Sequence, residues 1–422
     1  MSNISEVSEK KPINLGNIVI VAMTLNSLLV GFVPQQISAY IMLLLCAVML
    51  FIDELYLALP LVIFYNQWYG TVFGVSVQRF FSLMIMVLFL VKLGKEKKIT
   101  LKYLAPFIIY LLYSVFVITQ YNTTRAIFSV VDIVCCIFIV SMYLNKDIDK
   151  LKRFFIVYAL TGIAAIITGM LNQNIMAYGN LNRFMATFED PNYMSFFYTI
   201  AIFSIMSLKI FKPWLRAIVV VVFSAAIIAS ASVTGIIVNV MLWLIYVTLV
   251  QKINIKTFVA LIVVFVLIFG IYKIGLNSSD DTMLGQMSGR IEEKIQELNE
   301  GNVSDATTGR SQLMRENFEY FLKQPFWKKL VGGTPVNTHY ISYDVERAAH
   351  NEYVDLLINV GVIGTGILLW FFFKQYISYL KKYLKNRDKH YLTLFMIKCV
   401  WVAYAFSLTV FMDYRFMFVF FM

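Results

Sequence analysis

Long apolar blocks separated by short polar joints run through almost the whole chain, and block length rather than periodicity is the primary signal. A helix needs about 20 mostly apolar residues to cross about 30 Å of hydrocarbon. Blocks near that size recur, and predict about thirteen spans, at 15–33, 37–52, 55–73, 78–93, 101–119, 126–144, 154–171, 193–208, 215–231, 233–250, 257–275, 353–373 and 391–412. The closing run 416–422 is too short to cross, and fits the interface or the start of a further span.

One long polar segment breaks the pattern. It divides a single integral membrane domain into eleven spans over 1–275, a loop subdomain at 276–352 and C-terminal spans over 353–422. Inside the loop, Met283, Met287, Ile291, Ile295 and Leu298 repeat at helical spacing among charged neighbours, which predicts an amphipathic helix. A second helix is expected over 311–323, with Leu313, Met314, Phe318, Phe321 and Leu322 on its apolar side and Pro325 ending it. Gly332-Gly333 read as a loop. A third helix is expected to start with Asp344 as N-cap and to carry Arg347, His350, Asn351 and Val354 into the twelfth span. There Gly361 and Gly364, three apart, offer a smooth face for another backbone.

Charge adds orientation. Lysine and arginine collect in loops that stay cytoplasmic, and alternation from an inside N terminus places Lys10 and Lys11, 92–102, 146–153, 209–216, 252–256 and 374–389 inside. Every inner loop except the one at Asp53-Glu54 is basic. The same alternation puts 172–192 and 276–352 outside. The net charge of +11 is thus mostly a topological signal and implies no nucleic-acid partner. With 59% hydrophobic and 14% charged residues, a soluble globule is excluded.

No small-residue cleavage site follows the first apolar run at Gly31-Phe32-Val33-Pro34, so an uncleaved first span is expected. Cys46, Cys135, Cys136 and Cys399 fall inside spans without metal-ligand spacing to a histidine, and read as buried structural thiols. Asp132 and Lys398 are ionisable residues within predicted spans, where structural pairing with one another is expected ahead of a proton relay.

Two motifs carry a resemblance. The first is His350-Asn351 followed by Gly361 and Gly364, after a large outer loop whose helical part opens at Thr308-Gly309-Arg310. The second is Asn182-Arg183-Phe184 leading to Phe188-Glu189-Asp190-Pro191-Asn192 before a mid-chain span. In order, outer placement and spacing, these resemble the bacterial O-antigen ligase and polysaccharide polymerase superfamily. One position departs: Ser232-Val233-Thr234-Gly235 stands where many members carry a Ser-Arg pair, so no role is carried to it.

The resemblance implies an all-α polytopic membrane fold of the glycosyltransferase-C kind with one large extracytoplasmic helical loop. It also implies a metal-independent, inverting transfer without cofactor, in the cytoplasmic membrane of a bacterium. A growing glycan would move from polyprenyl diphosphate to a hydroxyl of a lipid-linked repeat unit, with membrane lipids, a chain-length regulator and a repeat-unit flippase as partners. His350, Arg183 and Arg310 are the implied catalytic residues; Arg315, Arg347, Asn351 and Asn192 are the implied substrate contacts.

The residue chemistry is compatible. A guanidinium fork suits phosphate oxygens and can stabilise a departing diphosphate. An imidazole, titrating near about 6.5 in water, can take a proton from an attacking hydroxyl. Each of these residues also has a plainer reading: a helix-capping histidine, arginines paired with Glu189, Glu316 or Glu346, a Pro191-Asn192 pair that only sets the entry to a helix. His339 and His390 read as structural or solvated, and outer tyrosines such as Tyr340 and Tyr343 as interfacial. A ligase moving the glycan to a lipid core or protein shares the donor chemistry. A polysaccharide or lipid transporter would more often show inverted repeats and broken helices, which are not evident.

Overall fold

The computed structural model describes residues 14–95, 131–132, 134–145, 147–178, 181–250, 277, 283–302, 307, 309–332, 349–411 and 415–422. The predicted spans 101–119 and 257–275 lie outside these residues, as do Arg347, His339, Tyr340, Tyr343 and the expected N-cap Asp344.

The described residues form a bundle of helices with one small antiparallel hairpin. The first half holds α1 (Leu15–Leu29), α2 (Gln35–Phe51), α3 (Leu59–Phe64), α4 (Val77–Lys95), α5 (Val134–Leu144) and α6 (Ile148–Leu171). The hairpin β1 (Ile175–Tyr178) and β2 (Leu181–Phe184) follows, with Met176 opposite Arg183. Then come α7 (Pro191–Leu208), α8 (Pro213–Ala229) and α9 (Val233–Val250). The polar segment contributes α10 (Met283–Asn299), α11 (Arg310–Lys323) and α12 (Phe326–Val331), before α13 (Glu352–Asn386), α14 (Lys389–Ala405) and the short α15 (Met417–Phe421).

Among the described residues, α6, α9 and α13 are each long and apolar enough to cross a membrane, and α1, α2 and α8 are shorter apolar helices. The predicted span 55–73 is not one crossing helix. It is a 3-10 turn, Leu55–Ala58, running into α3, and then turns with a Val72–Val75 bridge. Ten helical residues reach only about 15 Å, and 55–65 is buried throughout, which is why its apolarity imitates a span.

Aromatic side chains knit the core. Tyr158 of α6 stacks on Phe197 of α7 at 4.2 Å, and Phe64 of α3 meets Phe197 edge-on at 4.4 Å. Phe416 lies 4.6 Å from Phe196, and Phe418 packs on Phe154. The closing run 416–422 is therefore buried within the bundle rather than lying at its surface. Without a water-driven force between helices in lipid, such close ring packing carries the association, each pair adding about 0.5–1.5 kcal/mol beyond burial.

The two ionisable residues predicted to pair do not meet. Asp132 accepts hydrogen bonds from Gln78 Nε2 at 3.0 Å and Ser82 Oγ at 2.6 Å, both from α4. Lys398 is fully buried, donates to Gln375 Oε1 at 3.0 Å and to the Phe420 carbonyl, and sits 4.3 Å over the Phe372 ring. Neutral donors hold Asp132, and neutral acceptors with a π face hold Lys398, so no long-range pair is needed. The four cysteines are free and buried.

The predicted inner loops gather at one end. Lys92 pairs with Asp53 at 2.7 Å, Arg153 pairs with Glu54, and Arg387 Nη1 donates to the Leu249 carbonyl at 2.9 Å. The acidic exception at Asp53-Glu54 is thus held by the basic loops around it. His390, in the first turn of α14, is buried there with Nε2 3.1 Å from the Asn145 carbonyl.

Burial pushes the His390 imidazole below its ordinary 6.5, Lys382 adding to the effect and the Asn145 carbonyl, Asp388 and Asp147 opposing it. Its Nδ1 is buried without a hydrogen-bond partner among the described residues, so a second ring proton finds no acceptor there. The unfolded imidazole therefore binds a proton at a pH where the folded one does not, and folding favours the neutral ring. That stabilisation is present above the ordinary value and is lost as pH falls below it toward the depressed folded value. Between about pH 7 and about pH 5.5 the thermal midpoint of the wild type should fall more steeply than that of His390→Gln. Parallel pH profiles of the two proteins would refute this.

Candidate functional site

At the opposite end, the start of α7 is written in the sequence Asp190-Pro191-Asn192. Asp190 is the N-cap and accepts from the Asn192 N–H at 2.6 Å, while Pro191, which has no N–H to leave orphaned, occupies the first turn. Asn192 Nδ2 also donates to Asp190 Oδ1 at 2.8 Å, which turns its Oδ1 outward as an acceptor. Two groups use it: Ser232 Oγ donates at 2.7 Å and Arg183 Nη2 at 3.4 Å. Arg183 arrives from β2, and its Nε donates to the Ser230 carbonyl at 2.9 Å.

The turn 230–235 between α8 and α9 is held from both sides. Ser230 and Ser195 hydroxyls are 2.8 Å apart, and Ser232 Oγ accepts from the Gly235 N–H at 3.1 Å. Gly235 leaves room for this approach: a Cβ there would stand 2.7 Å from Ser195 Cβ. Ser232, to which sequence comparison carried no role, is thus bonded directly to Asn192. Arg183, Asn192 and Ser232 are all buried.

In the other motif, His350 and Asn351 do not lie on a helix as expected. Asn351 is itself the N-cap of α13, its Oδ1 accepting from Tyr353 N at 3.1 Å and Val354 N at 3.2 Å. His350 precedes the cap with φ of 49°, a left-handed turn that Asn, Asp and His adopt more readily than most residues. Capping by Asn351, with Glu352 and Asp355 in the first turn, is the stronger start signal, because both carboxylates suit the positive helix end.

Those carboxylates grip the chain beyond α14. Glu352 Oε2 accepts from Phe411 N at 2.8 Å and from Val410 N, while Asp355 accepts from Ala349 N at 3.2 Å and from the Thr409 hydroxyl. Asn351 Nδ2 donates to the Phe406 carbonyl at 3.3 Å. Both carboxylates are buried in this role.

Gly361 corrects a second expectation. It breaks α13 with φ of 67° and ψ of −177°, so it makes a kink rather than a smooth face. A Cβ at Gly361 would lie 2.3 Å from the Leu330 carbonyl oxygen, and one at Gly332 2.3 Å from the Asn359 carbonyl oxygen. Close backbone approach is therefore real, but its partner is the end of α12. Gly364 packs under Val360 across the kink.

Residues 406–411, with Arg415, join the two motifs. Tyr193 Oη donates to the Thr409 carbonyl at 2.7 Å, and Arg310 Nη1 to the Ser407 carbonyl at 3.1 Å. Arg415 lies 4.9 Å over the Tyr193 ring and 3.9 Å from Glu189. Starting at Arg183, the network passes through Asn192 and its neighbour Tyr193 to Thr409, Asp355 and Ala349, beside His350. Sequence reasoning missed Arg415, whose only signal is a lone cation interrupting apolar residues past the last predicted span.

Arg315 points elsewhere. Its side chain is 81% exposed and pairs with Glu319 one turn along α11 at 2.9 Å. Of the four predicted outer arginines, then, Arg183 and Arg310 join the network, Arg315 faces outward, and Arg347 is outside the described residues. Among the described residues no group of three or more His, Cys, Asp or Glu side chains could hold a metal ion. No protein-family model matches this chain, and no curated protein matches it.

Proposed function

We propose that the chain is a glycan polymerase of the cytoplasmic membrane of a bacterium, taking its donor as a glycan on polyprenyl diphosphate and acting at the outer end of the bundle. The observation that carries this reading is that residues 183–193, 230–235, 310, 349–355 and 406–411, far apart in the chain, meet in one hydrogen-bonded network. That end is the one opposite the basic loops, as an outward-facing site requires.

In this mechanism an acceptor hydroxyl oxygen attacks the anomeric carbon of the donor. The bond from that carbon to the diphosphate oxygen breaks, inverting the centre, and the hydroxyl proton passes to His350. Arg310 and Arg415 stabilise the charge on the leaving lipid diphosphate, since guanidinium groups hold phosphate oxygens in fixed geometry. Arg183 is buried and engaged with Ser230 and Asn192, so it acts by positioning the 190–193 segment.

The test is reconstitution of the purified protein in liposomes with lipid-linked repeat units alone. A ladder of products is expected. Consumption only after a lipid-core or protein acceptor is added would replace the reading with a ligase, and movement of intact units across the bilayer without new linkages would replace it with a transporter.

A further inference from the structure

The end of the bundle away from that network contains a cavity of about 620 Å³. Three separate turns build it: Lys152 near the start of α6, Lys209 to Phe211 between α7 and α8, and Arg387 to Lys389 between α13 and α14. Four of its ten lining residues are cationic, one is the carboxylate Asp388, and five are apolar. Lys152 has a partner in Asp149 at 3.3 Å, and Arg387 donates to a carbonyl. Lys209 and Lys389 hold no ion pair among the described residues.

Helix dipoles account for only part of this charge. Lys209 and Arg387 cap the C-terminal ends of α7 and α13, where cations are favoured. Lys389 is the first residue of α14 and Lys152 lies near the start of α6, so both stand toward positive helix ends, where a cation is disfavoured. Asp388 partly offsets this, but its Oδ1 is committed to the His390 N–H at 2.9 Å. The backbone is unusual here too, because Lys209, Phe211 and Arg387 all have positive φ, at 53°, 67° and 54°. Left-handed conformations at non-glycine residues cluster where a site needs a particular side chain in place. Glycine is the usual residue past a helix end, and here lysine and arginine stand there instead.

We propose that this cavity binds the phosphate headgroup of an anionic membrane lipid, with Lys209, Arg387 and Lys389 around the phosphate and Ile156 and Phe211 against the apolar part of the lipid. A soluble phosphate would match the cations but leaves the five apolar walls without a function. Basic pockets between helices on the positively charged side of membrane proteins take such headgroups.

The full chain, purified in detergent, is followed by thermal unfolding during titration with phosphatidylglycerol, phosphatidylcholine or inorganic phosphate. Phosphatidylglycerol should raise the midpoint saturably, while phosphatidylcholine and inorganic phosphate leave it unchanged. Lys209→Gln with Lys389→Gln, and the charge reversal Lys209→Glu with Lys389→Glu, should weaken the phosphatidylglycerol response about tenfold or more, since each cation contributes several-fold. Lys381→Glu with Lys385→Glu, exposed on α13 outside the cavity, should keep the wild-type response. An equal loss in this control would show attraction to general surface charge and overturn the site. A full response in Lys209→Gln with Lys389→Gln, or reproduction of the shift by inorganic phosphate, would overturn it as well.

Discussion

Gly361→Ala should lose about 2–6 kcal/mol of stability, enough to separate α12 from α13 and leave that end of the bundle unformed. The cost has two sources. A residue with φ of 67° and ψ of −177° sits in a region that only glycine occupies freely, and forcing an L side chain there costs about 1–3 kcal/mol. Its Cβ would also stand 2.3 Å from the Leu330 carbonyl oxygen and 2.5 Å from Gly332 N. Those are backbone atoms that cannot rotate away, so a further overpacking cost of about 1–3 kcal/mol applies.

The internal control is Gly366→Ala, five residues along the same helix, where a Cβ meets nothing within 4 Å. Alanine gains up to about 1 kcal/mol over glycine in a helix, so that variant should match or exceed the wild type. Thermal unfolding in detergent and protease sensitivity of 307–332 compare the two. Equal stability of Gly361→Ala and Gly366→Ala would remove the kink from any role in holding the site.

His350→Ala should leave the protein inserted and folded while long-chain product disappears. A positioned general base contributes about 10²–10⁴-fold to a rate, and losing that factor at every addition leaves single or few-unit products. Position 350 is half-buried, and the capping hydrogen bonds belong to Asn351, so truncating the imidazole leaves the α13 start intact. His350→Asn is the sharper variant, because asparagine also tolerates the left-handed backbone at 49° and keeps a polar side chain without a titratable nitrogen. Both should bind lipid-linked donor with near wild-type affinity and differ from it in turnover. Normal-length polymer from either purified variant would defeat the assignment of His350 as proton acceptor.

Much of the helical plan was legible because apolar block length reports it directly: the predicted 233–250 is α9 to the residue, and 311–323 differs from α11 by one. Errors arose where apolarity and burial part company. Residues 55–65 are as apolar as a span, yet they fold into a turn and a short helix inside the bundle. The helix expected to carry His350 and Asn351 starts only after them, since Asn351 is itself the cap and acids fill the following turn. Glycine spacing at 361 and 364 signalled close approach correctly, but spacing says nothing about φ, and the kink followed from that.

At the site, the two motifs were readable and the segment that joins them was not. Apart from the Thr409 hydroxyl on Asp355, its contacts use the carbonyls of Phe406, Ser407 and Thr409 and the N–H groups of Val410 and Phe411. Main-chain groups are the same in every residue, so nothing in the identities of 406–411 announces them. Ser232 was passed over for a related reason, because attention fell on the side chain missing at Val233 rather than on the hydroxyl already present.

The joining role of 406–411 also orders the protein's birth. Ribosomes deliver Arg183, Asn192 and Ser232 first, then Arg310, His350 and Asn351, and only afterwards the stretch whose carbonyls and amides tie these groups together. A nascent chain that has made α13 but not α14 therefore holds both halves of the network untied, and their union arrives in a single late event of biosynthesis.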